Sequence, residues 1–315
     1  MPTKLSVVKS PPAIAALAAQ FLASRRAKGL SVRSVEAYGH SLHWTFLPWC
    51  ESEGVTDPGQ LTTQLVERFT THLLDDGGKH GNPLARASVR SYCQAVRVFL
   101  KWVADPEGGA AKVGASPALP KAQKLFPDVL SREEILRMEN SATTERDKLI
   151  IRVLADTGLR LGELLQLRVE DIHEDRPGEH FLSVHGKGSR DRLVPVATPL
   201  VRRLRRYLSG RHAEAGDHVF VSLRKTANGD HPPLTISGAE QCVRLAALEA
   251  GITKRVYPHL LRHSFATEFV RRGGNLISLR NILGHFDLSM ISGVYSHLNP
   301  SDDHAAMMKV LLGNQ

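Results

Sequence analysis

Apolar residues recur at helical spacing along most of the chain. Ile14, Leu17, Ala18 and Phe21 fall at i, i+3, i+4 and i+7 behind Pro11 and Pro12, a stripe that predicts an amphipathic helix over 12–28. Lys4 and Lys9 ahead of AIAALAAQFLA mimic a secretory signal, but the periodicity favours a first core helix. Further helical segments are expected over 31–53, starting behind Ser31, over 60–76, and over 85–104. No strand signal competes with them, so the first part of the chain reads as all-helical. In the last of these helices Val89, Tyr92, Val96, Phe99 and Val103 make an apolar face. Arg86, Arg90, Arg97 and Lys101 fall within about 60° of arc on a separate side, at 100° per residue. That ridge is spaced to meet phosphates, and a solvated surface stripe is an equal reading of this helix taken alone.

The periodic pattern stops after Trp102. DPEGGAAKVGASPALPKAQKLF is rich in glycine, proline, alanine and lysine, the composition of a linker. Residues 1–105, 106–125 and 126–315 therefore read as a helical domain, a linker and a second domain. In the second, Ser131 followed by Glu134 predicts a capping box, and ERDKLIIRVLADTG predicts another helix. FLSVHGKGSRDRLVPVA alternates apolar and polar positions on both sides of a glycine-flanked turn, the pattern of a hairpin. Helices return over 258–272 and near 275–284. The expected fold is mainly α with a small β-sheet, in two domains.

Length and charge narrow the function. A chain of 315 residues suffices for two domains, each with a core of its own. It carries 41 Lys and Arg against 32 Asp and Glu, a formal charge of +9. The excess is shared, with 13 basic against 9 acidic residues through position 120 and 28 against 23 beyond it. Both halves can therefore touch the same polyanion, with nucleic acid the first expectation and an anionic membrane surface the second. No apolar run approaches the roughly 20 residues needed to span a bilayer. Cys50, Cys93 and Cys242 are odd in number and far apart, which points to neither a disulfide framework nor a cysteine-rich zinc site, and to a reducing, cytosolic setting.

Candidate chemistry concentrates in HLLRHSFATEFV, residues 259–270. His259, Arg262 and His263 stand at i, i+3 and i+4, on one side of a helix whose Leu261, Phe265 and Phe269 point elsewhere. A HExxH zinc site would need glutamate where Leu260 stands, so no metal is indicated. An anion site or a surface with incidental charges remain, and other segments tilt the balance to the anion site. In DTGLRLGELLQLRVEDI, Arg160 sits at the first turn of a helix whose Leu161, Leu164 and Leu165 face a core, and an arginine held so close to a core usually meets an anion. Lys187 tops the hairpin between two glycines. LGHFDLSMISGVYSHL adds His285 and Tyr295.

Taken together, TGLRLGELLQL, GKGSRDRLVPV, HLLRHSFAT, LGH and VYSHL resemble, in the same order, the segments of the tyrosine recombinases, the phage-integrase and Xer-like family. The resemblance covers 125–300 closely and the helical first half more loosely, as that family's core-binding domain ahead of a mixed α/β catalytic domain. It implies a site-specific DNA recombinase acting in integration, excision, resolution or transposition. By this resemblance Arg160 and Arg262 clamp the scissile phosphate, Lys187 protonates the leaving oxygen, His259 serves in proton transfer, and His285 hydrogen-bonds the phosphate. Tyr295 is the nucleophile and Glu163 a structural partner of Arg160. The partners implied are double-stranded DNA with an inverted-repeat core site and further protomers, a tetramer in the synaptic complex, or a related recombinase; no membrane is implied. His285 stands ten residues before Tyr295, where the family has nine. The terminal AAMMKVLLGNQ carries an apolar patch that docks on a neighbouring subunit or folds back on its own domain, and both readings stand.

Elementary chemistry agrees with that cast. A phenol of pKa near 10 is only about one part in a thousand ionised at neutral pH, so a tyrosine nucleophile needs a base and a cationic surround. A preorganised donor aimed at the charge developing on phosphorus is worth about 10²–10³ in rate. The covalent phosphotyrosine keeps the energy of the broken phosphodiester, so rejoining needs no ATP, and no GxxxxGK[ST] loop is present. No cofactor is expected. The alternatives are a noncatalytic DNA-binding protein of the same fold and a type IB topoisomerase-like enzyme.

Overall fold

The computed structural model describes residues 13–77, 81–105, 128–186, 191–284 and Met308. The chain forms two compact units, residues 1–125 and 126–315, each with its own buried core.

The described part of the first unit is helical. It runs α1 (Ala13–Ala27), α2 (Val32–Ser41), a π turn (Leu42–Phe46), α3 (Leu47–Ser52), a 3-10 turn (Pro58–Gln60), α4 (Thr63–Asp75) and α5 (Arg86–Val103). Ser31 starts α2 by accepting from the Ser34 amide at 3.2 Å. The helix expected over 31–53 is interrupted by the π turn, where the Leu47 amide donates to the Leu42 carbonyl. Pro48 explains this widening: it has no N–H for the Trp44 carbonyl, and its ring crowds that turn. The stripe of α1 is buried at Ile14, Ala18 and Phe21. Phe21 meets Phe99 of α5 edge to face, with centroids 5.5 Å apart. On α5, Val89, Val96, Phe99 and Val103 are buried with Cys93 and Leu100 beside them, and Tyr92 is half-buried. Arg86, Arg90, Arg97 and Lys101 are all exposed.

The second unit wraps helices around a three-stranded sheet. Its described elements are α6 (Arg132–Ser141), α7 (Glu145–Thr157), α8 (Leu161–Gln166), a 3-10 turn (Val169–Asp171), β1 (Ile172–Arg176), β2 (Glu179–Val184), β3 (Arg192–Val196), α9 (Thr198–Ser209), α10 (Ile236–Glu249), α11 (Pro258–Arg271) and α12 (Leu276–Leu283). The expected capping box forms: Ser131 Oγ accepts from the Glu134 amide and Glu134 Oε2 from the Ser131 amide, at 3.2 and 2.7 Å. Buried α7 is the hub, packed on α6, α9, α10 and α11. Its Leu149, Ile150, Ile151, Val153 and Leu154 have no exposed surface, so truncating one to alanine costs about 2–5 kcal/mol.

The hairpin appears as β2 and β3, antiparallel in the register His180 to Val196 through Val184 to Arg192. β1, which the alternation did not mark, pairs with the outer edge of β2. Its polar IHEDR pattern is mostly exposed and carries little apolar signal. Mainly α with a small sheet is the observed class. Among the described residues no helix is long and apolar enough to cross a membrane.

Candidate active site

Three arginines from three separate elements meet at the carboxyl end of α12. That short helix starts at Asn275, whose Oδ1 accepts from the Ile277 and Ser278 amides, and it ends at Gly284 with φ +65°. The last carbonyls of a helix have no intrahelical donor and carry the negative end of its dipole. Here consecutive ones are taken in turn: Ile282 O accepts from Arg192 Nε at 2.6 Å, Leu283 O from Arg262 Nη2 at 2.9 Å, and Gly284 O from Arg160 Nη2 at 3.2 Å.

The carboxyl end of α7 holds the same cluster from the other side. Gly158 ends that helix at φ +63°, a left-handed conformation that suits glycine, and its carbonyl accepts from Arg262 Nη1 at 2.5 Å. A Cβ at Gly158 would lie 2.5 Å from Phe265 Cδ1 and 2.7 Å from Leu283 Cδ2, so the backbone approach itself requires glycine. Two residues on, Arg160 is the N-cap of α8 with extended backbone, one position ahead of the first helical turn in which the sequence places it.

Glu163 ties two of the arginines together. Its carboxylate accepts from the Arg160 amide at 2.8 Å and Arg160 Nη1 at 2.7 Å, and from Arg192 Nη1 and Nη2 at 3.0 and 2.8 Å. Burial pushes the Glu163 pKa up, but the hydrogen bonds from Arg192 and Arg160 outweigh it and hold the group below the usual carboxylate range. Two guanidinium groups thus share one carboxylate, and with Arg262 beside them the cluster keeps a positive excess. Arg192 is the member that sequence reading missed: its place four residues past the anticipated glycine-flanked turn looks like any strand residue, and its pairing with Glu163 spans 29 positions.

Arg262 is 1% exposed, the largest fully buried side chain among those described. Burial, with Arg160 nearby, pushes its pKa down to about 10, so it stays protonated at neutral pH. Its Nε is buried with no hydrogen-bond partner among the described residues, a donor in reserve beside the engaged pair. One turn earlier on α11, His259 is exposed; His263, four residues further, is buried. Partial burial, then Arg262 and Arg160, lower the His259 pKa below its ordinary value, which leaves the imidazole neutral at pH 7. The opposite side of α11 packs Phe265 and Phe269 against Leu279 and Leu283 of α12, which fixes the two helices and hence the cluster.

The structure thus brings together Arg160, Glu163, His259 and Arg262 from the candidate set, and adds Arg192. Lys187, His285 and Tyr295 lie outside the described residues, as does AAMMKVLLGNQ apart from Met308. Arg86, Arg90, Arg97 and Lys101 belong to the first unit and share its exposed ridge.

The arrangement is a preorganised cationic cluster with a neutral imidazole beside it, on helices flanking a small antiparallel sheet, and such a cluster suits an anionic group. Comparison with known proteins gives the class. The phage integrase family model matches residues 128–302. A tyrosine recombinase XerD of Bifidobacterium longum is 27% identical over 87% of this chain and 89% of its own length. A tyrosine recombinase XerC of Xanthomonas campestris is 29% identical over 86% and 80%. The crystal structure of the XerH site-specific recombinase bound to a palindromic difH substrate shares the fold, with a TM-score of 0.70 at 20% identity over 90% of this chain and 82% of that one. The chain belongs to the phage integrase family and is a tyrosine-type recombinase.

Proposed function

We propose that this protein cuts and rejoins duplex DNA at a specific site through Tyr295, acting in the cytoplasm, with Arg160 and Arg262 holding the scissile phosphate. The carrying observation is the convergence of Arg160, Arg192 and Arg262 on the end of α12, directly ahead of His285 in the chain. In the forward step the Tyr295 phenolic oxygen bonds to phosphorus and the bond from phosphorus to the 5′ oxygen breaks, leaving a 3′-phosphotyrosyl link. The phenolic proton passes to a base, for which neutral His259 is suited, and the Lys187 ammonium gives a proton to the departing oxygen. His285 donates to a phosphate oxygen. Glu163, which touches the arginines and not the phosphate, positions them.

The exposed ridge Arg86, Arg90, Arg97 and Lys101 on α5 is read as a backbone-contacting surface of the first unit, the core-binding domain, in line with the basic excess of both halves. Strand exchange between two duplexes requires several protomers, so the working assembly is a tetramer on paired inverted-repeat core sites, of this chain or of this chain with a related recombinase.

The test is a nicked suicide substrate from which the cleaved end diffuses away. The wild-type protein is expected to accumulate a 3′-phosphotyrosyl adduct, and Tyr295→Phe to bind DNA with unchanged affinity and form none. Adduct formation by the variant would sink the assignment of Tyr295. Uniform relaxation of any supercoiled plasmid would replace the site-specific reading with a topoisomerase one.

A further inference from the structure

His185 lies one residue beyond the last paired rung of the hairpin, Val184 to Arg192. Where backbone pairing stops, a side-chain bridge continues it. His185 Nδ1 is 3.1 Å from Asp191 Oδ2 at the foot of β3, and Nε2 is 3.3 Å from Asp171 Oδ1 at the end of the 3-10 turn before β1. Asp171 is buried, and its other oxygen accepts from the Arg168 amide at 2.8 Å. Alongside, His173 Nε2 and Ser183 Oγ are 2.8 Å apart and secure the β1–β2 edge. Asp191 is followed at once by Arg192, which binds Glu163 and the Ile282 carbonyl. The bridge thus ties the end of β2 to Asp171, just ahead of β1, and to Asp191, the residue before Arg192.

We propose that His185 is a positioning residue for the leaving-group acid: its imidazolium joins Asp171 to Asp191 and holds the two ends of the segment that carries Lys187. This rests on the assignment of Lys187 as that acid. The chemistry requires the charged ring. Two carboxylates offer only acceptors, whereas a neutral imidazole has one donor and one acceptor, so one contact becomes repulsive when the proton leaves. The charged groups facing His185 among the described residues are Asp171 and Asp191. Asp191 first raises its pKa above the ordinary value, against the opposing effect of burial, and Asp171 adds to the rise. The bridge is therefore present at pH 6.5 and is lost as pH rises through that raised value. His259 moves the other way, so the two histidines act on opposite limbs of a pH profile.

The experiment measures single-turnover cleavage of the suicide substrate from acid to alkaline pH, at saturating DNA. Wild type is expected to slow as pH rises through the His185 pKa. His185→Gln should be slower on the order of fivefold at pH 6.5, the equivalent of one partly screened ion pair, and lack that alkaline fall. His185→Lys, with a permanent charge and several donors, should recover the rate and keep it to higher pH. With sulfur replacing the 5′ bridging oxygen the leaving group needs no proton, and the His185→Gln defect should vanish. A His185→Gln variant that matches wild type at every pH, or whose defect persists on the sulfur substrate, overturns the proposal. The bridge is also read without catalysis: by NMR the His185 pKa should exceed 6.5 and fall in Asp191→Asn, and an unchanged value overturns it. Absence of any wild-type adduct would count against the nucleophile and acid assignments, while this titration still decides the bridge.

Discussion

At the scale of single residues the site is an arrangement of charges that would repel each other without Glu163. Its carboxylate lies between Arg160 and Arg192 and is itself largely buried. Glu163→Gln keeps the shape and removes the charge, leaving the guanidinium groups uncompensated. Unfolding in urea should show a loss of about 3 kcal/mol, as for other broken buried pairs, together with slower adduct formation. The pH dependence carries the same sign. A carboxyl whose folded pKa lies below 4.5 contributes stability that is present above 4.5 and is lost as pH falls through the lowered value. Wild type should lose stability over that acid range more steeply than Glu163→Gln. His259 supplies a second pH test. As the proposed base it stays neutral at pH 7, and cleavage should fall only as pH drops below 6.5, through its lowered value. His259→Asn should be slow throughout and lack this acid limb. Arg160, Glu163, His259 and Arg262 were legible because each stands in a short motif. Arg192 was not, since nothing local in a strand residue reports a partner 29 positions away.

At the scale of elements, helix ends do the organising. Gly158 and Gly284 both adopt positive φ, and both turn their carbonyls to an arginine. Gly158→Ala would place a methyl group against Phe265 and Leu283 in a backbone conformation that L-residues avoid. The combined strain should cost about 2–4 kcal/mol, read as a lowered urea midpoint, and should slow cleavage by displacing Arg262 and α12 together. Helix positions were legible from periodicity because a buried stripe recurs every turn, as in α1 and α5. The break at Leu42–Phe46 was not, although Pro48 stood in plain view, because a proline also opens ordinary helices. β1 escaped for a related reason: a strand with one exposed face and charged ends offers no alternation to detect.

At the scale of the whole molecule, two units with separate cores each carry a basic excess, +6 in residues 1–125 and +3 in residues 126–315, and on the proposed reading both meet the same DNA. The logarithm of DNA affinity should fall with the logarithm of salt concentration by about 0.9 per phosphate neutralised. Arg97→Ala, on the exposed ridge of α5, should reduce that slope by about one and weaken binding equally on specific and random DNA. A titration that leaves the slope unchanged would remove the ridge from the interface. The number of domains, the helical character, the basic charge and the order of the motifs were determined by the sequence alone, since each depends on composition or on spacing of a few residues. Which arginines share Glu163, and that three arginines cap consecutive carbonyls of one short helix, was decided only by the tertiary structure. Those contacts join residues from positions 158 to 284, and charge pairing at such separations depends on where packing places each helix end.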